Sequence, residues 1–213
     1  MAMSFTNISG TADKYVDIVL PAGFSRATFT CWMYPISVSN YTPILTIRGS
    51  SAVNRYTLGL DGTSNKVFLE TNSTSYFTYI EASASVTQNT WNMVTGIVNG
   101  AFDRTIYLNG AGVQDTAQQS GLTLNRPLLG AYFDNNVTSP TWNGYIAEFA
   151  VWATNLNQSE IDSLYKGTKA NYIRPTNLRV YVEGIQTANS NRAVTSVTVN
   201  GNVPFVSHVR RLG

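Results

Sequence analysis

The chain reads as an all-β protein, a sandwich or jelly roll, with one short helix near residues 158–166. Two observations carry that reading. Short segments rich in β-branched and aromatic residues recur with turn residues between them, at Thr28 to Tyr34, Ile44 to Arg48, Tyr56 to Asp61, Lys66 to Thr71, Tyr76 to Ala82, Trp91 to Val98, Arg104 to Leu108 and Tyr145 to Trp152. Only one stretch departs from that texture with a complete set of helix signals. There Leu156 precedes an N-cap at Asn157, Glu160 stands where it closes a capping box, Ile161 can staple against Leu156, and Gly167 offers a C-terminal stop. Ile161, Leu164 and Tyr165 give this helix a single apolar face.

Within the strands, Asn109-Gly110 is the strongest hairpin signal, with Ile106 and Leu108 alternating before it and Val113 after it. Asp61-Gly62 marks a second turn. Tyr145, Ala147, Phe149 and Val151 alternate with Ile146, Glu148, Ala150 and Trp152, which predicts two faces on one buried strand. Residues 131 to 144 read as the longest structured loop, and long loops on rigid sheets are where binding residues concentrate. Beyond Gly167 a strand over Leu178 to Glu183 and another over Val194 to Asn200 flank an Asn/Ser/Thr-rich turn. An independent domain of about forty residues without a disulfide or metal is marginal. Residues 171–213 are therefore expected to be a β extension packed on the body formed by residues 1–170, or on a neighbour.

Composition narrows the function classes. The chain is 43% hydrophobic, ample for a core, and only 12% charged against roughly 25% in an average soluble protein, so Ser, Thr and Asn must supply the polar surface. Such a surface suits extracellular or particle-bound life. With a net charge of +2 and basic residues scattered except at Arg210-Arg211, nucleic-acid binding has no support. Cys31 is the only cysteine, so an intrachain disulfide and a cysteine-rich metal site are excluded; alternating with Phe29 and Met33, it reads as a buried structural thiol. His208 is the sole histidine, which excludes a three-histidine zinc site and leaves a Ser-His-Asp triad one available base. No charged n-region with an apolar h-region opens the chain, and no apolar run reaches about eighteen residues, so neither Sec export nor membrane insertion is expected. The sequons at Asn7, Asn40, Asn72, Asn136 and Asn157 are no more than chance supplies, and carry no evidence of glycosylation.

Taken in order, Lys14-Tyr15-Val16-Asp17-Ile18, Phe29-Thr30-Cys31-Trp32-Met33-Tyr34-Pro35, Trp91-Asn92-Met93-Val94 with Arg104 to Gly110, and Gly144 to Tyr165 resemble the laminin-G-like members of the concanavalin A-like lectin/glucanase superfamily. The resemblance spans roughly residues 5 to 170. It implies two antiparallel sheets packed as a jelly roll, with a short helix after the last long strand. The remaining pattern, Ile173 to Tyr181 and then Val199-Asn200-Gly201 through His208-Val209-Arg210, is similar to tailed-bacteriophage members of the superfamily, small virion proteins of heads, fibres and tails. That likeness implies a virion location, with assembly in the host cytoplasm.

The superfamily also allows glycoside hydrolysis, which needs two carboxylates about 5 to 9.5 Å apart around a sugar. No strand carries such a cluster: Glu160 and Asp162 sit on the helix facing different ways, Asp13 and Asp17 are on no identifiable central strand, and Glu148 is alone on its strand. Sugar binding asks less, aromatic faces with amide and carboxylate partners. The loop offers Tyr132, Phe133 and Trp142 around Asp134, Asn135, Asn136 and Asn143, although the same residues also suit closing the sandwich end and shaping turns. A second candidate is Asn72 to Tyr79, where Tyr76, Phe77 and Tyr79 follow Asn72, Ser73 and Ser75. Asp134 with Asn135 and Asn136, or Asp61 with Asn65, could contribute to a calcium site, but neither has the carboxylate density of one, and no metal, cofactor or catalytic residue is assigned. The leading expectation is a non-enzymatic structural and interaction module of a phage particle. It would attach to a capsid or tail protein and to further copies of itself, with loops free for glycan contact. The alternative is a secreted or surface lectin-like binding module, and last comes a glycosidase. No nucleic acid or membrane partner is expected.

Overall fold

The computed structural model describes residues 2–5, 14–20, 22–38, 41–49, 53–118, 121–134, 137–140, 142–182, 196–200 and 205–206. Among these the strands, in chain order, are β1 (Ala2–Ser4), β2 (Tyr15–Val19), β3 (Arg26–Ser37), β4 (Thr42–Arg48), β5 (Arg55–Asp61), β6 (Lys66–Asn72), β7 (Phe77–Ser85), β8 (Asn92–Asn99), β9 (Arg104–Leu108), β10 (Ala111–Asp115), β11 (Arg126–Leu129), β12 (Ala131–Asp134), β13 (Val137–Pro140), β14 (Asn143–Trp152), β15 (Leu178–Val182), β16 (Ser196–Asn200) and β17 (Phe205–Val206). Helix α1 (Gln158–Tyr165) and a 3₁₀ turn at Ala170–Tyr172 lie between β14 and β15.

Two antiparallel sheets result. The eight-stranded one runs β10-β9-β8-β3-β14-β1-β17 with β15 also on β14, and the seven-stranded one runs β16-β2-β11-β4-β5-β6-β7. Ala2–Ser4 and Leu178–Val182 share one flank of β14, the first opposite Tyr145 to Ala147 and the second opposite Phe149 to Trp152. The sheets meet face to face because alternate residues of each strand are apolar. Phe29, Cys31 and Met33 of β3 and Ile146, Phe149 and Val151 of β14 pack with Tyr56, Leu58 and Leu60 of β5 and Val67 and Leu69 of β6. Burying each such side chain is worth about 1.5–3 kcal/mol. Cys31 lies in this core, where burial pushes its thiol up to about 12, so it packs as an apolar residue.

At one side of the sandwich a buried arginine spans both sheets. Arg104 of β9 donates through Nε (3.0 Å) and Nη2 (2.5 Å) to Oδ2 of Asp115 on β10, and through Nη1 to the hydroxyls of Thr71 on β6 (3.1 Å) and Thr78 on β7 (2.6 Å). The five donors of a guanidinium suit that role.

The helix forms as its signals predict. Asn157 is the N-cap, its side chain accepting from Glu160 N while Glu160 reaches back to Asn157 N. Gly167 N donates to Leu164 O and Thr168 N to Ser163 O, the paired bonds of a Schellman stop. Leu156, Ile161 and Leu164 are buried together with Met93, Ile97, Tyr107, Ala150 and Trp152, so α1 covers part of the outer face of the eight-stranded sheet.

Two expectations are corrected. The simple alternation along Tyr145 to Trp152 breaks at a bulge: the register with β3 shifts between Ala147 and Ala150, and Glu148 takes a positive φ of 51°. The extra residue flips the phase, so Phe149 and Val151 join Ile146 in the inter-sheet core, while Ala150 and Trp152 face the helix. Residues 131 to 144, expected as a loop, instead contain the β12–β13 ribbon, with Ala131 to Asp134 paired against Val137 to Pro140.

Candidate functional site

With Tyr56, Leu58 and Leu60 of β5 and Val67 and Leu69 of β6 pointing inward, the intervening Arg55, Thr57 and Gly59 and Phe68, Glu70 and Asn72 must face outward. On β7, Ile80 packs inward, which turns Phe77, Tyr79 and Glu81 out. The register then sets these side chains in transverse rows: Arg55, Asn72 and Phe77; Thr57, Glu70 and Tyr79; Gly59, Phe68 and Glu81. Gly59 is needed in its row, because a Cβ there would fall 2.3 Å from Phe68 Cζ. The Phe68 ring therefore lies flat on the strand.

On that ring stands Tyr41, stacked at 5.0 Å between centroids and an interplanar angle of 28°. Tyr41 meets the ring of Tyr132 edge-on at 5.4 Å and donates its hydroxyl to Glu70 Oε2 at 2.6 Å. Burial and then the adjacent Glu70 carboxylate raise the Tyr41 hydroxyl far above the ordinary tyrosine range, so it remains a donor at any physiological pH. Arg55 Nε lies 3.5 Å from Glu70 Oε1, the guanidinium carbon sits 4.3 Å from the Tyr132 ring centroid, and Nη2 donates to the Tyr132 hydroxyl. Arg55 is 1% and Glu70 2% exposed, an ion pair buried on an outward-facing sheet surface. What buries it is the lid of Tyr41 and the ribbon residue Tyr132. Thr46 Oγ1 of β4 fastens the ribbon by donating to Ala131 O at 3.2 Å.

Beside this lid the face opens. Phe77 is 63% and Tyr79 58% exposed, and Tyr41 keeps 38% of its surface in contact with solvent. Three rings thus border the strip holding Asn72 and Glu70.

The sequence-predicted residues divide. Tyr132 is in the lid, so the ribbon and the second candidate segment, Asn72 to Tyr79, come together on one sheet face. Phe133 and Asp134 lie on β12, paired with Thr138 and Val137, and Asn135 and Asn136 fall outside the described residues. Trp142 is 1% exposed in the inter-sheet core, where no sugar can stack on it. Asn143 starts β14 in the other sheet and donates from Nδ2 to Ser37 Oγ at 2.7 Å. Among the other carboxylates considered, Asp17 accepts from Arg126 at 2.9 Å and Glu160 from Arg174 at 2.6 Å, His208 and Asp13 lie outside the described residues, and Asp61 Oδ1 accepts from Thr63 N in a turn. Among the described residues no three His, Cys, Asp or Glu side chains group to hold a metal ion. Sequence reasoning missed Tyr41, Phe68, Arg55 and Glu70. The signal was present in part: pairing β5 with β6 through the Asp61-Gly62 turn sets Arg55 one step diagonally from Glu70.

Two antiparallel sheets with one clipped helix and an aromatic outer face define a lectin-like jelly roll. The family model described as the concanavalin A-like lectin/glucanases superfamily, of laminin-G type, matches residues 10–162, and the chain belongs to that superfamily. Comparison with curated proteins finds no match. Among solved structures, the chain is similar to the native heptameric SAP-like pentraxin of Limulus polyphemus, with a TM-score of 0.64 and 14% identity over 99% of this chain and 97% of that one. The CBM40 of Ruminococcus gnavus IT-sialidase, bound to α2,3-sialyllactose, matches with a TM-score of 0.55 and 14% identity over 67% of this chain and 83% of that one. Domain 4 of the Geobacillus stearothermophilus arabinanase AbnA, in complex with arabinotriose, matches with a TM-score of 0.55 and 15% identity over 68% of both chains. At these identities the likeness is one of fold.

Proposed function

We propose that the protein is a non-catalytic carbohydrate-binding module that takes saccharide on the outer face of the seven-stranded sheet. The observation that carries this reading is the pair of exposed rings, Phe77 and Tyr79, standing in register with Asn72 and Glu70 beside the Tyr41 platform. Sugar rings present C–H faces to aromatic surfaces and hydroxyls to amide and phenol groups, and this strip offers both. Glu70 is committed to Arg55 and Tyr41 and almost wholly buried, so its role is to hold the platform rather than to transfer a proton to a glycosidic oxygen. Fold relatives that carry saccharides support this reading over the other one raised by the sequence, a virion component docked on a capsid or tail protein.

A glycan array followed by calorimetry on the hits tests it. Tyr79→Ala is expected to weaken binding at least about tenfold, which corresponds to about 1.4 kcal/mol, and Phe77→Ala to weaken it less, with both variants melting like the wild type. Array silence from the wild-type protein, or undiminished affinity in the double variant, overturns the reading. Silence combined with co-sedimentation on assembled phage particles would return the virion role.

A further inference from the structure

Among the described residues, the outer face of the eight-stranded sheet is covered over only part of its length. Helix α1 reaches as far as Trp32, on which Tyr165 stacks at 6.0 Å with an interplanar angle of 18°. The next outward pair along β3 and β14 is Tyr34 with Tyr145, and Trp91, just before β8, joins them. Ring centroids are 5.6 Å apart for Tyr34 and Trp91, 5.4 Å for Tyr34 and Tyr145, and 6.5 Å for Trp91 and Tyr145. The three planes are inclined to one another by 62°, 54° and 38°, so they form a faceted cup rather than a stack, and each ring remains partly exposed. Two residues before Tyr145 on β14, Asn143 donates its amide to Ser37 Oγ at 2.7 Å.

We propose that this cup is a second saccharide-binding site, on the opposite side of the sandwich from the seven-stranded face. Scale selects the ligand. Three partly buried rings expose on the order of 200 Å², well short of the roughly 800 Å² per partner that a stable protein interface buries. One or two pyranose rings fit that area. Chemistry agrees: the faces are apolar, while the phenol hydroxyls of Tyr34 and Tyr145 set polar groups at the ring edges that can meet sugar hydroxyls. The site lies apart from Phe77 and Tyr79, so either face can be lost without the other.

The test is calorimetry and saturation-transfer NMR with a panel of neutral gluco-, galacto- and manno-hexasaccharides on four proteins: wild type, Phe77→Ala/Tyr79→Ala, and that double variant carrying in addition either Trp91→Ala or Asn143→Lys. The expected result is residual binding in Phe77→Ala/Tyr79→Ala that falls at least tenfold when Trp91→Ala or Asn143→Lys is added. Asn143→Lys sets a longer, charged side chain two residues before Tyr145 on β14 at a half-buried position outside the core, so it reports even where Trp91→Ala fails to fold. Complete loss of binding in Phe77→Ala/Tyr79→Ala, or residual binding untouched by Asn143→Lys, overturns the second site and leaves the first standing. Full binding in Phe77→Ala/Tyr79→Ala that Asn143→Lys abolishes supports the cup and removes the first.

Discussion

The outer faces of the two sheets have solved the same problem differently. On the eight-stranded sheet, Trp152, Met93, Ile97 and Tyr107 are covered by a helix whose buried residues are apolar, so the contact rests chiefly on excluding water, with Gln158 Nε2 donating to Gly110 O at its margin. On the seven-stranded sheet an arginine and a glutamate are covered by two tyrosines, and the contact depends on each polar group meeting its partner. The first kind of cover tolerates inexact geometry and stabilises the fold. The second stabilises little in itself but holds rings at fixed angles, which is what a recognition surface needs.

Breaking the apolar cover should cost most. Trp152→Ala removes a fully buried indole that also donates to Ile173 O at 2.7 Å, and should destabilise by about 3–5 kcal/mol in equilibrium urea unfolding. Glu70→Ala should come next, at about 3 kcal/mol, because it leaves Arg55 charged and buried without that carboxylate. A joint exchange of Arg55 and Glu70 for apolar residues of similar volume should approach neutrality in the same assay while disordering Tyr41. If Glu70→Ala costs less than about 0.5 kcal/mol, the pair is solvated and the contrast between the faces collapses.

Asp115→Asn at the Arg104 bridge should cost about 1–2 kcal/mol at neutral pH. Burial opposes ionisation of Asp115, but the Ala117 N–H and the Arg104 guanidinium outweigh it and hold its carboxyl below the usual range. A folded-state value below the unfolded one near 3.9 means the contribution is complete above that pH and fades as pH falls through the folded value. Acid unfolding curves of wild type and Asp115→Asn should therefore converge at the acid end. Asn157→Ala, which removes the cap, should cost about 1 kcal/mol. Tyr79→Ala should change stability by less than about 0.5 kcal/mol, so that on the exposed strip binding and stability separate.

Local chemistry made the helix legible: cap, staple and stop all lie between Leu156 and Thr168, and each acts within a turn. Most strands were legible from alternation, and the Asn109-Gly110 hairpin formed with both residues at positive φ. Strand β11 was not, because Pro127 argues against a strand, yet it sits between β2 and β4. The bulge at Glu148 was hidden for another reason: nothing in an apolar run marks where one extra residue is absorbed. Of the site, the aromatic alternation at Phe77 and Tyr79 was visible, as was Tyr132 in its polar setting. That Tyr41 would bring the two segments together was not, since it depends on chain crossings far apart in sequence. Trp142 misled because an aromatic beside polar residues looks the same whether it closes a core or faces solvent.

The shared flank of β14 carries a consequence in time. That strand cannot be completed on one side until Ala2–Ser4 and Leu178–Val182 have both arrived, and Thr28 Oγ1 accepts from Leu156 N across 128 residues. A nascent chain emerging from the ribosome would hold most of the seven-stranded sheet before β14 exists to seal the other. Folding dominated by such distant pairings runs on the millisecond-to-second scale. During that wait the apolar edge of β3 is open, and it is the interval in which a chaperone or a second nascent chain would find it.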